Sequence, residues 1–246
     1  MNSSKPFFVF VLMTVPVFAQ PATTAVGALQ LTVTDAQAAP LSGVMVSYRR
    51  LFRAVPDARN QPAPAPGEAT TSGMALSDAA GALAIPGLPA GSYAICASAP
   101  GLPYLDPCKW TSSPILTVST NATTKYTLVL SKGVFLNVRV NDPGHLLPQL
   151  KDGPLGGGLV AVGVRFGKGA YLGAQNTAVD ATGRDYQIVV PAGTPVQLSV
   201  FSRDVALADT AGKAVAVTGT AIPVQATAGS DQSLSFSVTG RLARPF

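Results

Sequence analysis

The sequence predicts an all-β protein built as two tandem antiparallel β-sandwiches that follow an N-terminal signal peptide. First, 24 glycines and 21 prolines among 246 residues interrupt helices along the whole chain. Second, stretches such as Leu29–Asp35 alternate apolar and polar residues, which is typical of strands with one buried face. Third, a pair of turn motifs occurs twice at the same spacing, which indicates a repeated unit.

Composition excludes several classes of protein. Charged residues make up 12% of the chain, against about a quarter in an average soluble domain. This excludes a charge-rich disordered chain and a coiled coil, which needs many glutamates and lysines. The formal net charge is +5 for the full sequence and would fall to about +4 in an exported chain without Lys5, which makes a nucleic-acid partner unlikely. The length suits one or two domains, each burying its own core.

Residues 1–19 have the pattern of a signal peptide. Lys5 precedes the apolar run Pro6–Phe18, and Ala19 supplies the small residue before cleavage. The run has 13 residues, whereas a bilayer-spanning helix needs about 20. We therefore expect a mature chain that begins at Gln20, has no transmembrane segment and is secreted, periplasmic or held at the cell surface.

The two cysteines predict one disulfide. Cys96 and Cys108 form an even pair in a chain expected in an oxidising compartment. The alternatives are two free thiols or a pair of metal ligands. Two cysteines alone make a poor zinc site, and the single histidine, His145, lies elsewhere in the chain. We expect no metal and no cofactor.

Two turns define the repeat. The motif Asp-x-x-Gly occupies 78–81 and 180–183, and Pro-Ala-Gly occupies 89–91 and 191–193, so both recur after 102 residues. In such turns aspartate accepts hydrogen bonds from backbone amides and glycine adopts positive φ. The phase of the strand alternation slips by one residue after the second turn. This slip predicts a bulge or a register change near Pro195.

The strand pattern places a domain boundary at Ser131–Gly133, which gives a first sandwich over 20–131 and a second over 132–246. Each is expected to be antiparallel and to have its own core, because one face of every alternating strand must be buried. The expected core residues of the first sandwich are Leu31, Val33, Ile85 and Ile95. Those of the second are Val138, Val140, Ile188 and Leu198.

The first copy also resembles a known family. Residues 31–35, 40–46, 78–81 and 85–93 follow one another as strand, glycine turn, Asp-x-x-Gly turn and Leu-Pro-Ala-Gly-Ser-Tyr return. In this order they resemble the carboxypeptidase regulatory-like domains over residues 28–131, while the second copy is similar only through its turns. The resemblance implies an Ig-like or transthyretin-like sandwich that serves as a non-catalytic accessory module. It leaves sugar binding open, because similar sandwiches include carbohydrate-binding domains.

Residues for catalysis are sparse. A serine hydrolase would need His145 as its base, yet the chain has no Gly-x-Ser-x-Gly motif. Gly167–Gly169 lacks the flanking residues of a phosphate loop. Asp180 and Asp185 could face a calcium ion, but they belong to no Asp-x-Asp-x-Asp run. We therefore expect no enzymatic activity.

Two surface clusters are candidate binding sites. The first is a basic cluster that consists of Arg49, Arg50 and Arg53. It could bind an anionic partner, although charged residues at a solvated strand end are the simpler interpretation. The second is an aromatic and polar loop beside the expected disulfide, made of Tyr104, Asp106, Lys109 and Trp110. This loop is either a ligand platform or a place where the single tryptophan covers the core.

These observations favour a non-enzymatic exported protein for adhesion, scaffolding or cell-surface interaction. Its partner would be a protein or a glycan at the cell surface. The alternative is a carbohydrate-binding protein that uses the loop around Tyr104 and Trp110.

Overall fold

The structure is a computed structural model that describes residues 26–52, 54–56, 62–64, 71–149, 160–166, 171–216 and 220–242. The predicted signal peptide, residues 1–19, and Arg53 lie outside the described residues. The architecture is almost entirely β, as the sequence predicts. No helix in the described part of the chain is long and apolar enough to cross a bilayer.

The first half of the chain forms a β-sandwich from two sheets. Its strands are β1 (Val26–Asp35), β2 (Met45–Arg50), β3 (Ala54–Pro56), β4 (Pro62–Pro64), β5 (Ser72–Leu76), β6 (Ala82–Pro89), β7 (Gly91–Ser98), β8 (Ile115–Val118) and β9 (Thr123–Leu130). One sheet has the order β6-β1-β9 and the other β5-β2-β7-β8, while β3 and β4 pair with each other. A four-residue helix, α1 (Pro107–Trp110), lies between β7 and β8.

The second half forms a larger sandwich. Its strands are β10 (Val134–Asn141), β11 (Val160–Arg165), β12 (Tyr171–Gly173), β13 (Gln175–Asp180), β14 (Gly183–Val190), β15 (Pro195–Ser202), β16 (Val205–Asp209), β17 (Ala214–Val215), β18 (Thr220–Gln225) and β19 (Gln232–Arg241). The sheets have the orders β13-β14-β10-β19-β16-β17 and β12-β11-β15-β18. A short 3₁₀ helix, Leu147–Gln149, follows β10.

The two sandwiches share one strand order. The central strands β6-β1-β9 correspond to β14-β10-β19, and β5-β2-β7-β8 correspond to β12-β11-β15-β18. The first strand of each half pairs antiparallel with its β6 or β14 neighbour and parallel with the last strand, β9 or β19. This parallel pair departs from the purely antiparallel pattern that the sequence suggests. The second half adds β13 and the hairpin of β16 and β17.

The repeated turns occupy equivalent places in the two sandwiches. Each Asp-x-x-Gly turn leads into the strand beside the first strand, and each Pro-Ala-Gly turn leaves that strand. The Asp78 carboxylate accepts hydrogen bonds from the amides of Ala80 and Ala82, both at 2.8 Å. Gly81 has φ of +72°, and a Cβ there would collide with the Val33 carbonyl oxygen. Aspartate and glycine are therefore needed in this turn for different reasons.

Each sandwich has a separate hydrophobic core. The first core contains Leu31, Val33, Ile85 and Ile95, as expected. The second contains Val138, Val140 and Leu198. Ile188 is only partly buried and packs against the edge of that second core.

The expected irregularity near Pro195 is wrong. Pairing of β15 with β11 and with β18 runs without a shift of register. Pro195 is the first residue of β15, a position where proline is tolerated in a sheet. The turn 191–194 is longer than the equivalent turn of the first sandwich, and this extra length accounts for the slip in alternation. Gly193 in this turn has φ of +72°.

Candidate functional site

The connection between β7 and β8 extends from the first sandwich to the junction with the second. Its residues 103–105 pair with the linker 131–133 between the sandwiches. The Leu105 amide donates to the Ser131 carbonyl at 2.9 Å, and the Gly133 amide donates to the Pro103 carbonyl at 2.6 Å. We call this paired arrangement of 103–105 with 131–133 the clasp. Because both backbones are held, the linker is not a free hinge.

The same connection carries the disulfide. Cys96 on β7 is bonded to Cys108 in α1, with a Cα–Cα distance of 5.3 Å, which confirms the predicted pairing. Asp106 caps α1 by accepting a hydrogen bond from the Cys108 amide at 2.9 Å, and its other oxygen lies 3.7 Å from the Lys109 ammonium. A helix of four residues has almost no stability of its own. The disulfide and the cap therefore fix α1 on the first sandwich.

Trp110, the last residue of α1, meets the second sandwich. Its ring centroid lies 6.0 Å from that of Phe166, with the planes at 61°, an edge-to-face contact. Trp110 also packs against the core cluster of the second sandwich. The tryptophan thus covers a core, which was one of its two interpretations from sequence, but the core belongs to the other half of the chain.

A cleft opens between the two sandwiches beside this contact. It is lined by all four residues of the predicted ligand loop, Tyr104, Asp106, Lys109 and Trp110. The opposite wall includes Phe135, Leu172, Gln175, Gln187 and Ile188. The sequence therefore identifies one wall of the cleft, while the second wall comes from strands β10, β12, β13 and β14 of the other sandwich.

The cleft is small. Its volume is about 80 Å³, whereas sites for small organic ligands occupy about 300–1,000 Å³. The cleft is therefore well below the size of a site for a small organic ligand.

The polar side chains Tyr104, Asp106 and Lys109 of the cleft are engaged within the protein. Burial, reinforced by the nearby Asp35 carboxylate, raises the pKa of Tyr104, so the phenol stays protonated beside the end of β1. The Asp106 carboxylate caps α1 and pairs with Lys109. These contacts all lie within the first sandwich and hold the polar side chains of this wall against it.

The basic cluster is divided between two environments. The Arg50 Nη2 donates to the Ala90 carbonyl at 2.8 Å, which ties β2 to the turn before β7. Arg49, its neighbour on β2, is exposed. Within the described part of the predicted cluster, Arg49 is therefore the guanidinium that solvent reaches most freely.

Asp180 and Asp185 face an arginine. Arg139 on β10 donates to both oxygens of Asp180, at 2.8 and 2.9 Å, and to Asp185 at 3.0 Å. The Arg139 hydrogen bond, followed by those from Thr182, holds the pKa of Asp180 well below its usual range. A guanidinium thus occupies the space between the two carboxylates that the calcium hypothesis assigned to an ion.

His145 and Asp142 support a loop. The His145 Nδ1 lies 2.7 Å from the Ala181 carbonyl oxygen, so in this hydrogen bond the ring nitrogen is the donor. The buried Asp142 carboxylate accepts from the amides of Leu146 and Leu147, at 2.9 and 2.7 Å. Both side chains join the segment after β10 to neighbouring backbone, and neither is arranged as a catalytic pair.

One cluster has the composition of a metal site but not its chemistry. Ligand atoms of Cys96, Asp106 and Cys108 lie within 4.8 Å of one another. The two sulfurs are bonded to each other, so neither is the thiolate that a metal requires.

A larger groove in the second sandwich was not predicted from sequence. It has a volume of about 590 Å³ and lies between β17, β18 and β19, with Val215, Ile222 and Phe236 among its lining residues. Its lining residues come from separate strands of the two sheets, and no local motif marks such a place.

Comparisons with known proteins give distant structural similarity only. No family model matches the chain, and no curated protein matches its sequence. Among solved structures, it is similar to a Streptococcal ancillary pilin, with 14% identity, TM-score 0.40 and coverage of 92% of this chain and 65% of that one. It is also similar to GBS52, the minor pilin of Streptococcus agalactiae, with 10% identity, TM-score 0.36 and coverage of 89% and 99%.

A third similar structure is the major pilin SpaD of Corynebacterium diphtheriae, with 12% identity, TM-score 0.32 and coverage of 72% and 61%. The Bacillus anthracis TIE protein is matched over 34% of its length at TM-score 0.33. The chain thus spans less than two thirds of each of these two proteins and of the Streptococcal pilin. Similarity at this level establishes neither a family nor a function.

Proposed function

We propose that this chain is an exported, non-catalytic scaffold or adhesion protein that acts at the cell surface as a stiff pair of β-sandwiches. The observation that carries the proposal is the joint between them. The clasp holds the linker through two backbone hydrogen bonds, and the Trp110–Phe166 contact adds a second point of attachment. Two separate attachments restrict both bending and twisting, which suits a protein that transmits force or presents a surface.

The state of the titratable groups supports a non-catalytic role. Enzymes keep an acid, base or nucleophile directed toward a pocket of useful size. Here His145 bonds a backbone carbonyl, Asp142 and Asp106 cap backbone amides, and Asp180 pairs with Arg139. Each of these groups has a structural partner.

The domain assignment belongs to the same proposal. We infer two divergent copies of one sandwich, with the boundary at Ser131–Gly133 and the first copy of the carboxypeptidase regulatory-like type. The shared strand order and the equivalent turns support this division. Residues 1–19 would direct export and be removed before Gln20.

The carbohydrate alternative has less support. Its candidate residues line a cleft of about 80 Å³, and the Trp110 ring already contacts Phe166. A sugar platform needs an aromatic face open to solvent. We therefore favour a protein surface as the partner, with a glycan as the second possibility.

The test compares intact producing cells with cells lacking the protein. Labelling of intact cells with an antibody or an impermeant biotin reagent should find the protein outside, with Gln20 as its first residue by mass spectrometry. Cells lacking it should adhere less well under flow, and the wild-type chain should restore adhesion. Complementation with Trp110→Ala, exported in equal amount, should restore it only in part.

The outcomes separate the possibilities. A protein found only inside the cell, or unchanged adhesion in its absence, would contradict the proposed role. If free glycans competitively block the adhesion that the wild-type protein confers, the result would instead support the carbohydrate alternative.

A further inference from the structure

The disulfide lies in an open groove on the outer face of the β5-β2-β7-β8 sheet. Cys96 is opposite Ser47 in the register of β2 and β7, and both cysteines line the groove. We call this the disulfide groove; its lining includes Ser47, Arg49, Met74, Ala94, Cys96, Cys108 and Ser113. Both cysteines are only partly buried, so a thiolate can approach the bond from solvent.

Arg49 gives this groove a positive charge. It lies opposite Ala94, two residues before Cys96 on β7, and its side chain is exposed. A neighbouring guanidinium favours the thiolate form of a sulfur. It therefore attracts an incoming thiolate and stabilises the cysteine thiolate that departs when the disulfide opens.

The disulfide is the covalent tie between α1 and the first sandwich. Cys108 lies inside the four-residue helix, two positions before Trp110. The helix cannot persist by backbone hydrogen bonding alone at this length. The disulfide holds α1 on β7 of the first sandwich, and this placement supports the contact of Trp110 with Phe166 of the second.

We propose that Cys96–Cys108 is a reducible clamp, opened by a dithiol, whose reduction releases Trp110 from the second sandwich. This inference goes beyond the proposed function and does not depend on it. The reductant is a dithiol carrier, such as a protein with two vicinal cysteines.

The reaction is a thiol–disulfide exchange. One carrier thiolate attacks a sulfur of the clamp, the S–S bond breaks, and the other cysteine leaves as a thiolate. The second carrier thiol then attacks the mixed disulfide. Two electrons and two protons pass to the clamp, leaving two cysteine thiols and an oxidised carrier.

Reduction should loosen the joint without unfolding the sandwiches. The core of each sandwich is built from strands that do not depend on α1. The clasp joins 103–105 to the linker by backbone bonds that the disulfide does not make. The sandwiches should therefore stay connected at one point and gain freedom to rotate about it.

Trp110 is a built-in reporter, because it is the single tryptophan of the chain. The experiment treats the mature protein with dithiothreitol and counts free thiols by alkylation and mass. Complete reduction should shift the tryptophan emission to longer wavelength and increase its quenching by acrylamide. Far-UV circular dichroism should stay unchanged, and small-angle scattering should show a broader distribution of shapes.

Matched variants identify the cause. Phe166→Ala should show the shifted emission while still oxidised, with little further change on reduction. Cys96→Ser combined with Cys108→Ser should reproduce the reduced state without reductant. Arg49→Gln should leave the oxidised spectrum unchanged and slow the reduction several-fold.

Two results would overturn the clamp. Unchanged emission and quenching after complete reduction would mean that the contact holds without the disulfide. Loss of the circular dichroism signal on reduction would mean that the bond supports the sandwich itself rather than the joint.

Discussion

The Trp110 indole meets the Phe166 ring edge to face, with ring centroids 6.0 Å apart. The two residues belong to different sandwiches and are separated by 56 positions in the chain. In the clasp, the Gly133 amide donates to the Pro103 carbonyl. Together they connect the segment between β7 and β8 to the linker and to the second sandwich.

The first prediction concerns Gly133. A Cβ at this position would lie 2.6 Å from the Val190 carbonyl oxygen and 2.7 Å from the Val189 Cγ1. Gly133→Ala should therefore displace the clasp and lower the free energy of unfolding by about 1–3 kcal/mol, the usual cost of overpacking. Chemical denaturation measures it.

The control for Gly133 is Gly173→Ala, because a Cβ at Gly173 meets nothing within 4 Å. That variant should be close to the wild type in stability. If the two variants had equal free energies of unfolding, the backbone around Gly133 would move aside for a Cβ without loss of stability, and the prediction would be wrong.

The second prediction concerns the buried Asp142. Each of its two carboxylate oxygens accepts one backbone amide, from Leu146 and Leu147. Asp142→Asn replaces one acceptor by an NH₂ group that faces a donor, so stability should fall by about 1–3 kcal/mol. Hydrogen exchange of amides in the second sandwich measures the loss.

Asp209→Asn serves as the comparison for Asp142. Asp209 accepts the amides of Ala211 and Lys213 through the same oxygen, both at 2.9 Å. Asparagine retains that oxygen, so this variant should exchange like the wild type. If Asp209→Asn lowered the stability of the second sandwich as much as Asp142→Asn does, the explanation by a lost carboxylate acceptor would be contradicted.

The third prediction concerns acid. Because Arg139 lowers the pKa of Asp180 below its unfolded value of 3.8, the folded state favours the ionised carboxylate. The stabilisation is complete above the unfolded pKa and is lost as the pH falls through the folded pKa. Between pH 7 and pH 2, the advantage of the wild type over Asp180→Asn should therefore shrink.

Denaturation midpoints of the two proteins across this pH range provide the test. Asp180 is exposed, so added salt should also reduce the difference. A difference that stays constant with pH would mean that Asp180 acts through its turn and not through its charge.

The sequence was most informative where physical rules act locally. Asp78 and Gly81 predicted a turn because one carboxylate satisfies adjacent amides and glycine avoids a collision with Val33. Alternation predicted β1, β10 and the core residues Leu31 and Val138, because burial of one face fixes the period of a strand.

Contacts between distant parts of the chain escaped prediction. Trp110 was singled out, but Phe166 was not its predicted partner, since nothing within either local segment specifies the other. All residues of β13 are exposed, so its sequence lacks the alternation of apolar and polar residues that predicts a half-buried strand. The one-residue slip in alternation suggested a bulge near Pro195, whereas Pro195 is the first residue of β15 and the pairing of that strand runs without a shift of register.

The relative orientation of the two sandwiches in solution tests the central claim most directly. Residual dipolar couplings of the oxidised mature chain give one alignment tensor for residues 26–130 and another for 134–242. A stiff joint predicts tensors of equal magnitude whose axes coincide when the couplings are fitted to this structure. Tensors that differ in magnitude or direction would show that the sandwiches move independently, and would contradict the joint formed by the clasp and Trp110.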